Sequence, residues 1–405
     1  MDVSYPPEAA SFRREVQAFL RDELPPGWHG FGALDGEEAR DFLDAWRGKL
    51  YRHGLLGLTW PREFGGGGRT RLEQLILVEE LARAGAPVGW PTDNFSIKML
   101  GNILIQHGTA EQQRQFLPPI LSGADRWCQG FSEPGAGSDL ASLSTRAELD
   151  GGQWRINGQK IWTSNARDAN WIFVLARTDP GAPKHHGISF LLCPLDQPGI
   201  EIRPITMLSG QREFNEVFFT DARTAAANVV GDVNEGWQVA TALLAYERGD
   251  EAATGPILFR HELDRLVAMA RERGRASDPV IRDRLAWCYA RVETMRFLGY
   301  RILTGFLKGG PPGAESSVSK LVWSEYHRVV TDLAVDLLGP EVLAPAGRPP
   351  LRASRTDDPG AANSPASWLG VLYNARAGTI YAGSSQIQRT IVAERVLGLP
   401  REPAR

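Results

Sequence analysis

Two segments near the middle of the chain carry residues suited to holding a flat ligand. Residues 132–139, Ser-Glu-Pro-Gly-Ala-Gly-Ser-Asp, end a predicted strand, so backbone N–H groups and hydroxyls can approach a ligand closely. Residues 159–166 place Trp162 beside Thr163 and Ser164, so an indole could stack on a planar ring while a hydroxyl bonds its polar edge. An elaborate turn and a core tryptophan would explain the same residues, so both alternatives stay open.

A third segment places small and hydroxyl residues just before a predicted amphipathic helix. Gly383 and Ser384 precede residues 385–396, where apolar positions recur with helical spacing. The free N–H groups and partial positive charge of a helix N-terminus suit an anion such as a pyrophosphate. Ordinary capping by a serine accounts for the pattern almost as well.

One glutamate lies on the apolar side of a predicted helix. Glu247 comes four residues after Leu243 and three after Leu244, so the helix carries all three on one stripe. A carboxylate in that place needs a partner or a chemical role. It could instead reach solvent or pair with Arg248 or Arg260, so the sequence pattern alone leaves its role open.

The hydrophobic pattern divides the elements that must position these residues into three groups. Apolar residues recur at three and four positions up to about residue 123, alternate from about 126 to 232, and return to helical spacing from 237. We therefore predict an α+β multidomain fold with an N-terminal helical domain at 1–124, a β domain at 125–232 and a C-terminal helical domain at 233–405. This order excludes folds in which strands and helices alternate.

Composition narrows the class of protein further. The 405 residues include 45 basic and 48 acidic side chains, and no basic cluster stands out that would bind nucleic acid. No apolar run approaches the roughly 20 residues of a membrane span, and the N-terminal residues do not look like a targeting signal, so the cytoplasm is expected. Three widely spaced cysteines and seven scattered histidines predict neither disulfides nor a metal site.

Taken together, the three segments resemble the acyl-CoA dehydrogenase family, and the resemblance covers nearly the whole chain. It extends to His-Gly-Thr at 107–109, to residues 169–178 in the β domain, to Gly-Trp at 236–237 and to residues 386–400. The family fold of an all-α domain, a β-barrel-like domain and an α-helical bundle agrees with the order of elements above. Residues 340–365 have no counterpart, and their Pro, Gly, Ala and Ser content favours a long loop or a disordered insertion.

The resemblance implies FAD as the cofactor and acyl-CoA as the substrate. By position, the residues implied to contact FAD are Phe131, Ser132, Gly137, Ser138, Trp162, Ser164, Ser384 and Gln386. Within that set, the resemblance implies that Trp162 packs against the isoalloxazine and that Ser164 meets its N5 edge. It also implies that Ser384 and Gln386 face the ADP half. The residues implied to contact substrate are Ser138, along the pantetheine, together with Arg248 and Gly383.

The catalytic base is where this sequence departs from the commonest family pattern. Many members carry glutamate before the glycine at 383, and here that residue is Ala382, which cannot remove a proton. Some branches place the base in a Leu-x-x-Glu-Arg context on a helix, which residues 244–248 match. The resemblance thus implies that Glu247 takes the α-proton, that FAD takes the β-hydride, and that the backbone N–H of Ala382 stabilises the thioester oxygen. An electron-transferring flavoprotein would then accept the electrons.

Two assembly motifs of the family also look degraded. Residues 270–278 lack the Phe-Gly that reaches a neighbour's FAD, and residues 336–340 lack a Gly-Gly turn. We therefore expect either a homo-oligomer that holds FAD differently or a heterotetramer with a homologous subunit. An oxidase of the same fold and a catalytically silent subunit remain alternatives. The small side chain of Ala382 leaves space beside the implied substrate, which favours branched or bulky acyl groups.

Overall fold

A computed structural model describes residues 7–307, 315–352 and 355–401, without the side chains of residues 8, 245–251, 306–307 and 315–316. The N-terminal part is helical, as its apolar spacing predicts. Its elements are α1 (Pro7–Glu23), α2 (Gly36–Arg52), α3 (Arg71–Ala84), a π-helix (Asn94–Gly101), α4 (Asn102–His107) and α5 (Ala110–Ser122). Thr109 and Gln112 form a capping box that begins α5.

The middle of the chain forms one mixed β-sheet in the described residues. The strands are β1 (Trp127–Gly130), β2 (Arg146–Asp150), β3 (Gln153–Ser164), β4 (Trp171–Arg177), β5 (Ile188–Pro194), β6 (Ile200–Pro204), β7 (Phe214–Ala225) and β8 (Val229–Val230). Their order is β6-β7-β3-β2-β4-β5-β8, and β1 lies parallel to β4. β3 runs on to Ser164 and so contains the segment with Trp162.

Two adjacent strands of the sheet, β4 and β5, are buried along almost their whole length. All seven residues of β5 except Pro194 are buried, and so are the five central residues of β4. Such strands read as unbroken apolar runs because both faces are covered. The two paired strands therefore give the outer strands a rigid support.

Helices return after the sheet. They are α6 (Gly236–Glu272), α7 (Pro279–Leu307), α8 (Glu315–Leu338), α9 (Pro365–Gly378) and α10 (Ser385–Ile391), which ends in a π-turn at Val392–Val396. A close crossing joins α6 to α7, since a Cβ on Gly299 would lie 2.2 Å from the carbonyl oxygen of Ala252. Pro256 has no N–H to bond that carbonyl within α6, which leaves the oxygen free to meet Gly299.

Contacts divide the chain into two compact units. One unit contains residues 1–43, 71–88 and 248–405, and the other contains residues 44–70 and 89–247. The predicted fold class, with helices, then a β-sheet, then helices, is confirmed.

Composition predicts either a long loop or a disordered insertion at 340–365, and the described residues form the long loop. Most of it lacks regular secondary structure, but Asp357 and Asp358 are each only 5 % exposed. Asp357 accepts a hydrogen bond from Ser367, and the Arg265 guanidinium, whose side chain is 13 % exposed, lies 3.9 Å from it. Burial raises the pKa of Asp357 and lowers that of Arg265. The described part is packed because charged partners and backbone contacts replace the apolar residues that it lacks.

Backbone contacts also fix this segment to the turn after α1. Gly32 N–H donates to the carbonyl oxygen of Pro359 at 2.9 Å. A Cβ on Gly30 would lie 2.2 Å from the same oxygen, and φ at Gly30 is +109°. Only glycine permits this approach, so the turn and the segment are matched to each other.

The three cysteines, Cys128, Cys193 and Cys288, are free and buried. Within residues 7–307, 315–352 and 355–401, no group of His, Cys, Asp and Glu side chains has the arrangement of a metal site. No helix in the same ranges combines the length and apolar character needed to cross a membrane.

Candidate functional site

A buried ion pair holds the start of the first candidate segment against β3. Lys160 is fully buried, and its Nζ donates to Glu133 Oε1 at 2.8 Å and to the carbonyl oxygen of Phe131 at 3.1 Å. Glu133 also accepts bonds from the backbone N–H groups of Ser144 and Thr145 and from the Ser144 hydroxyl. The pair therefore joins three stretches of the chain at one point.

Burial and the charge of the partner both shift the pKa values of Glu133 and Lys160. Burial alone would raise the pKa of Glu133, but the Lys160 charge and the donors from Lys160, Thr145 and Ser144 outweigh it and lower the pKa to about 2. Burial lowers the pKa of Lys160 to about 8, and the Glu133 charge opposes only part of that shift. Both groups are therefore charged at neutral pH.

A β-bulge turns Trp162 out of the sheet. Between the pairs Lys160–Val217 and Thr163–Asn215, β3 advances three residues while β7 advances two. Lys160 and Thr163 are fully buried as a result, while Trp162 between them is 56 % exposed. Its φ of +61° lies in the left-handed region, which is rare for a bulky residue. The core-tryptophan alternative is therefore wrong, because the bulge reverses the inward direction that simple alternation would give it.

Two hydroxyls near Trp162 are available to a ligand. The carbonyl oxygen of Ser132 accepts from Ile161 N–H at 2.9 Å, which places Ser132 beside the residue before Trp162. Ser164 lies at the end of β3, opposite Phe214. In the part of the chain that the structure describes, the half-buried Ser132 and Ser164 make no hydrogen bond through their hydroxyls. Phe131, Ser132, Trp162 and Ser164 are thus brought to one region of the sheet.

The rest of this segment is a tight turn. Glu133 and Ala136 exchange backbone hydrogen bonds at 3.1 and 3.0 Å. Gly137 and Ser138 follow on the surface, and a Cβ on Gly137 would meet no atom within 4 Å. The backbone of this segment is thus the elaborate turn that the sequence left open. The open space beside Gly137 leaves room for a ligand.

The second candidate region surrounds the turn before α10. Ala382 and Gly383 have φ of +50° and +87°, so two consecutive residues are left-handed. The hydroxyl of Ser384 accepts from Ile387 N–H at 3.3 Å, which is the capping role that the sequence left open. Gln386 is exposed. Among the described residues, the N–H of Ala382 has no hydrogen-bond partner and is available as a donor.

The predicted base and its neighbour lie partly outside what the structure describes. Glu247 and Arg248 fall within the continuous helix α6, after the fully buried Leu243. Their side chains are outside the described part of the chain. The role of Glu247 therefore remains a prediction.

Sequence reasoning missed three residues that shape these regions, namely Glu133, Lys160 and Gln388. The alternation of buried and exposed positions along β3 could have indicated Lys160, because Lys160 lies on the same inward-facing side of the strand as Trp154 and Ile156. A lysine on that side needs a buried acid. No comparable signal identified Gln388, since its contacts depend on the left-handed turn before α10.

Comparison with known families matches all three parts of the chain. Residues 6–124 match the acyl-CoA dehydrogenase N-terminal domain, residues 128–222 the middle domain and residues 234–397 the C-terminal domain. The acyl-CoA dehydrogenase IpdE1 of Mycobacterium tuberculosis is 44 % identical over 400 residues, which cover 98 % of this chain and 99 % of that protein.

Solved structures give the same result. The Tcur3481-Tcur3483 steroid ACAD has 34 % identity and a TM-score of 0.79, covering 99 % of this chain and 100 % of that one. The ChsE4-ChsE5 complex from Mycobacterium tuberculosis has 30 % identity and a TM-score of 0.78 with the same coverage.

The chain belongs to the acyl-CoA dehydrogenase family, and its activity is that of an oxidoreductase. Membership in the family implies FAD. The exposed Trp162 indole and the two unbonded hydroxyls beside it fit that cofactor, since a planar ring with polar edges needs a stacking surface and hydrogen-bond donors.

Proposed function

We propose that this protein is an FAD-dependent dehydrogenase that converts a bulky acyl-CoA thioester to its trans-2-enoyl-CoA. The observation that carries the proposal is Trp162, a strained and exposed tryptophan in a chain that matches the family along its whole length. Backbone strain of about 1–3 kcal/mol persists where a function requires it, which supports a ligand at this position.

Residues near Trp162 would hold the isoalloxazine. Trp162 offers the flat surface, and the hydroxyls of Ser132 and Ser164 offer donors to the polar edges of the ring. The Glu133–Lys160 pair fixes the carbonyl of Phe131 and so sets the position of Ser132. When bound, FAD would accept a hydride from the β-carbon of the thioester.

Two residues would act on the thioester itself. Glu247 takes the α-proton onto its carboxylate, and the electron pair of that C–H bond forms the new double bond as the β-hydride leaves. Negative charge develops on the thioester oxygen during this step, and the unpaired N–H of Ala382 is a donor that can stabilise it. The absence of a side-chain acid at Ala382 does not affect this backbone role.

The comparisons favour a substrate class and an assembly. One related structure is described as a steroid ACAD and another as a complex of two named proteins. We extend both properties to this chain, with a polycyclic or branched acyl group as substrate and a homologous second subunit as partner. An electron-transferring flavoprotein would reoxidise the flavin.

Anaerobic bleaching of the flavin absorbance tests the proposal. The purified holoenzyme is mixed with octanoyl-CoA, isobutyryl-CoA, 3-cyclohexylpropanoyl-CoA and the CoA thioester of a steroid side chain. We expect bleaching that is fastest with the cyclic or steroid acyl groups. Glu247→Gln should slow bleaching by about 10²- to 10⁴-fold, as loss of a general base does, without changing the FAD content.

The matched control is Glu272→Gln, which removes an exposed carboxylate from the far end of α6 and should bleach at the wild-type rate. Wild-type rates in Glu247→Gln would contradict the base assignment and favour a silent subunit, the alternative that Ala382 suggests. Peroxide formation in air without another acceptor would favour the oxidase alternative. Failure of all four thioesters to bleach the flavin would overturn the proposed reaction.

A further inference from the structure

The turn at Ala382 and Gly383 has a shape that glycine permits but alanine does not favour. Both are left-handed, and for alanine that conformation costs about 1–2 kcal/mol. Residues in such a conformation persist only when neighbouring groups hold them.

One buried side chain supplies that restraint. Gln388 is 2 % exposed, and its Nε2 donates to the carbonyl oxygen of Ala382 at 3.0 Å and to that of Gly383 at 3.4 Å. A Cβ on Gly383 would lie 2.4 Å from Nε2, so the amide fills the space that a side chain there would take. Both carbonyls of the left-handed pair are therefore held by one amide group.

The amide has an energetic cost that packing alone does not justify. In the described part of the chain, Gln388 Oε1 is buried and has no hydrogen-bond partner. An unsatisfied buried acceptor destabilises a protein by about 1–3 kcal/mol, a cost that a methionine of similar size would avoid. The Nε2 donor of Gln388 is thus the feature that distinguishes glutamine from an apolar residue at this position.

We infer that Gln388 is a positioning residue for the thioester, acting through the main chain of Ala382. By fixing the two carbonyls, it restrains the φ and ψ of Ala382 and hence the direction of the Ala382 N–H. This inference rests on the proposed function, in which that N–H stabilises the thioester oxygen. A preorganised hydrogen-bond donor contributes more to catalysis than one that must reorient, because the protein does not have to reorganise during the reaction.

The test compares Gln388→Met with wild-type holoenzyme. Acetoacetyl-CoA is the probe, because its enolate would give a long-wavelength absorbance band with oxidised flavin without turnover. We expect the apparent pKa of bound acetoacetyl-CoA to rise by about one unit, a tenfold loss of enolate stabilisation. With the best thioester of the panel above, kcat should fall about 10- to 100-fold with KM nearly unchanged.

A matched control separates positioning from general loss of hydrogen bonds. Gln113 also bonds backbone carbonyls through Nε2, those of Leu104 at 2.9 Å, Ile105 at 3.2 Å and Gly108 at 3.3 Å. Gln113→Met should leave the enolate band and kcat at wild-type values. Gln388→Glu should recover toward wild type as the pH falls, because only the protonated acid can donate to the carbonyls.

Two results would overturn the inference. One is a wild-type enolate band and kcat in Gln388→Met, and the other is an equal loss in Gln113→Met. Hydrogen exchange of a peptide covering residues 379–390, measured in enzyme freed of FAD, reports the turn alone and should be faster in Gln388→Met only. If wild-type flavin fails to bleach with any thioester, the proposed function fails, whereas faster exchange would still show that Gln388 holds the turn.

Discussion

Removal of the Lys160 charge tests how much the buried Glu133–Lys160 pair contributes to the stability of the sheet. Lys160→Met keeps the length of the side chain but leaves the Glu133 carboxylate, 5 % exposed, without its counter-ion. The pKa of Glu133 lies near 2 against an ordinary 4.5, which corresponds to about 3 kcal/mol in favour of the charged form. Breaking a buried pair from one side typically costs about 3–5 kcal/mol, so we expect a loss of that size at pH 7.

The stability loss in Lys160→Met should depend on pH in a characteristic direction. In the wild type, the depressed pKa of Glu133 contributes stability that is fully present above pH 4.5 and is lost as the pH falls toward 2. In Lys160→Met, burial should raise the pKa of Glu133 above 4.5, so that protonation relieves the buried charge on mild acidification. The difference between the two proteins, measured as urea midpoints, should therefore shrink from pH 7 to pH 4.5.

A surface pair provides the control for this experiment. Lys184 and Asp139 are also in contact, but their side chains are 50 % and 60 % exposed, so Lys184→Met should cost less than about 1 kcal/mol. Adding Glu133→Gln to Lys160→Met should recover at least half of the lost stability, since no unpaired charge then remains. Equal midpoints for Lys160→Met and wild type at pH 7, or a difference that grows on acidification, would refute the reasoning.

Backbone geometry gives two further predictions. Trp162→Asn should leave the apoprotein as stable or more stable, because asparagine tolerates the left-handed region, while weakening FAD binding at least tenfold by equilibrium titration; unchanged affinity would count against stacking on Trp162. Gly30→Ala should cost about 1–3 kcal/mol more in urea unfolding than Gly27→Ala, since both have positive φ but only Gly30 would meet the oxygen of Pro359, and equal losses would contradict that contact.

Sequence patterning predicted the order of the elements well because each class has its own apolar period. The runs in β4 and β5 and the helical spacing of α6 follow directly from which residues must be buried. The pattern did not reveal the bulge before Thr163, which reverses the side to which Trp162 points. A one-residue insertion leaves no mark on composition and is fixed by pairing with a distant strand.

The loop before α9 shows that local composition does not predict packing. Its Pro, Gly, Ala and Ser content indicated little capacity to pack, yet Asp357 is buried near Arg265, a residue about ninety positions earlier in the chain. Local composition cannot report such a long-range pairing. The same holds for Gln388, whose amide acts on a turn that is recognisable only once its φ angles are known.

The shape of the turn before α10 is encoded at Gly383 and Gln388 and not by the side chain of residue 382. Ala382 is exposed, and the groups that hold its backbone contact only main-chain atoms. Replacement of an acidic residue by alanine at position 382, or the reverse, would therefore leave the backbone conformation of the turn unchanged. Under the proposed function, in which Glu247 is the base, moving the proton acceptor between this turn and α6 would take two substitutions, one at each position.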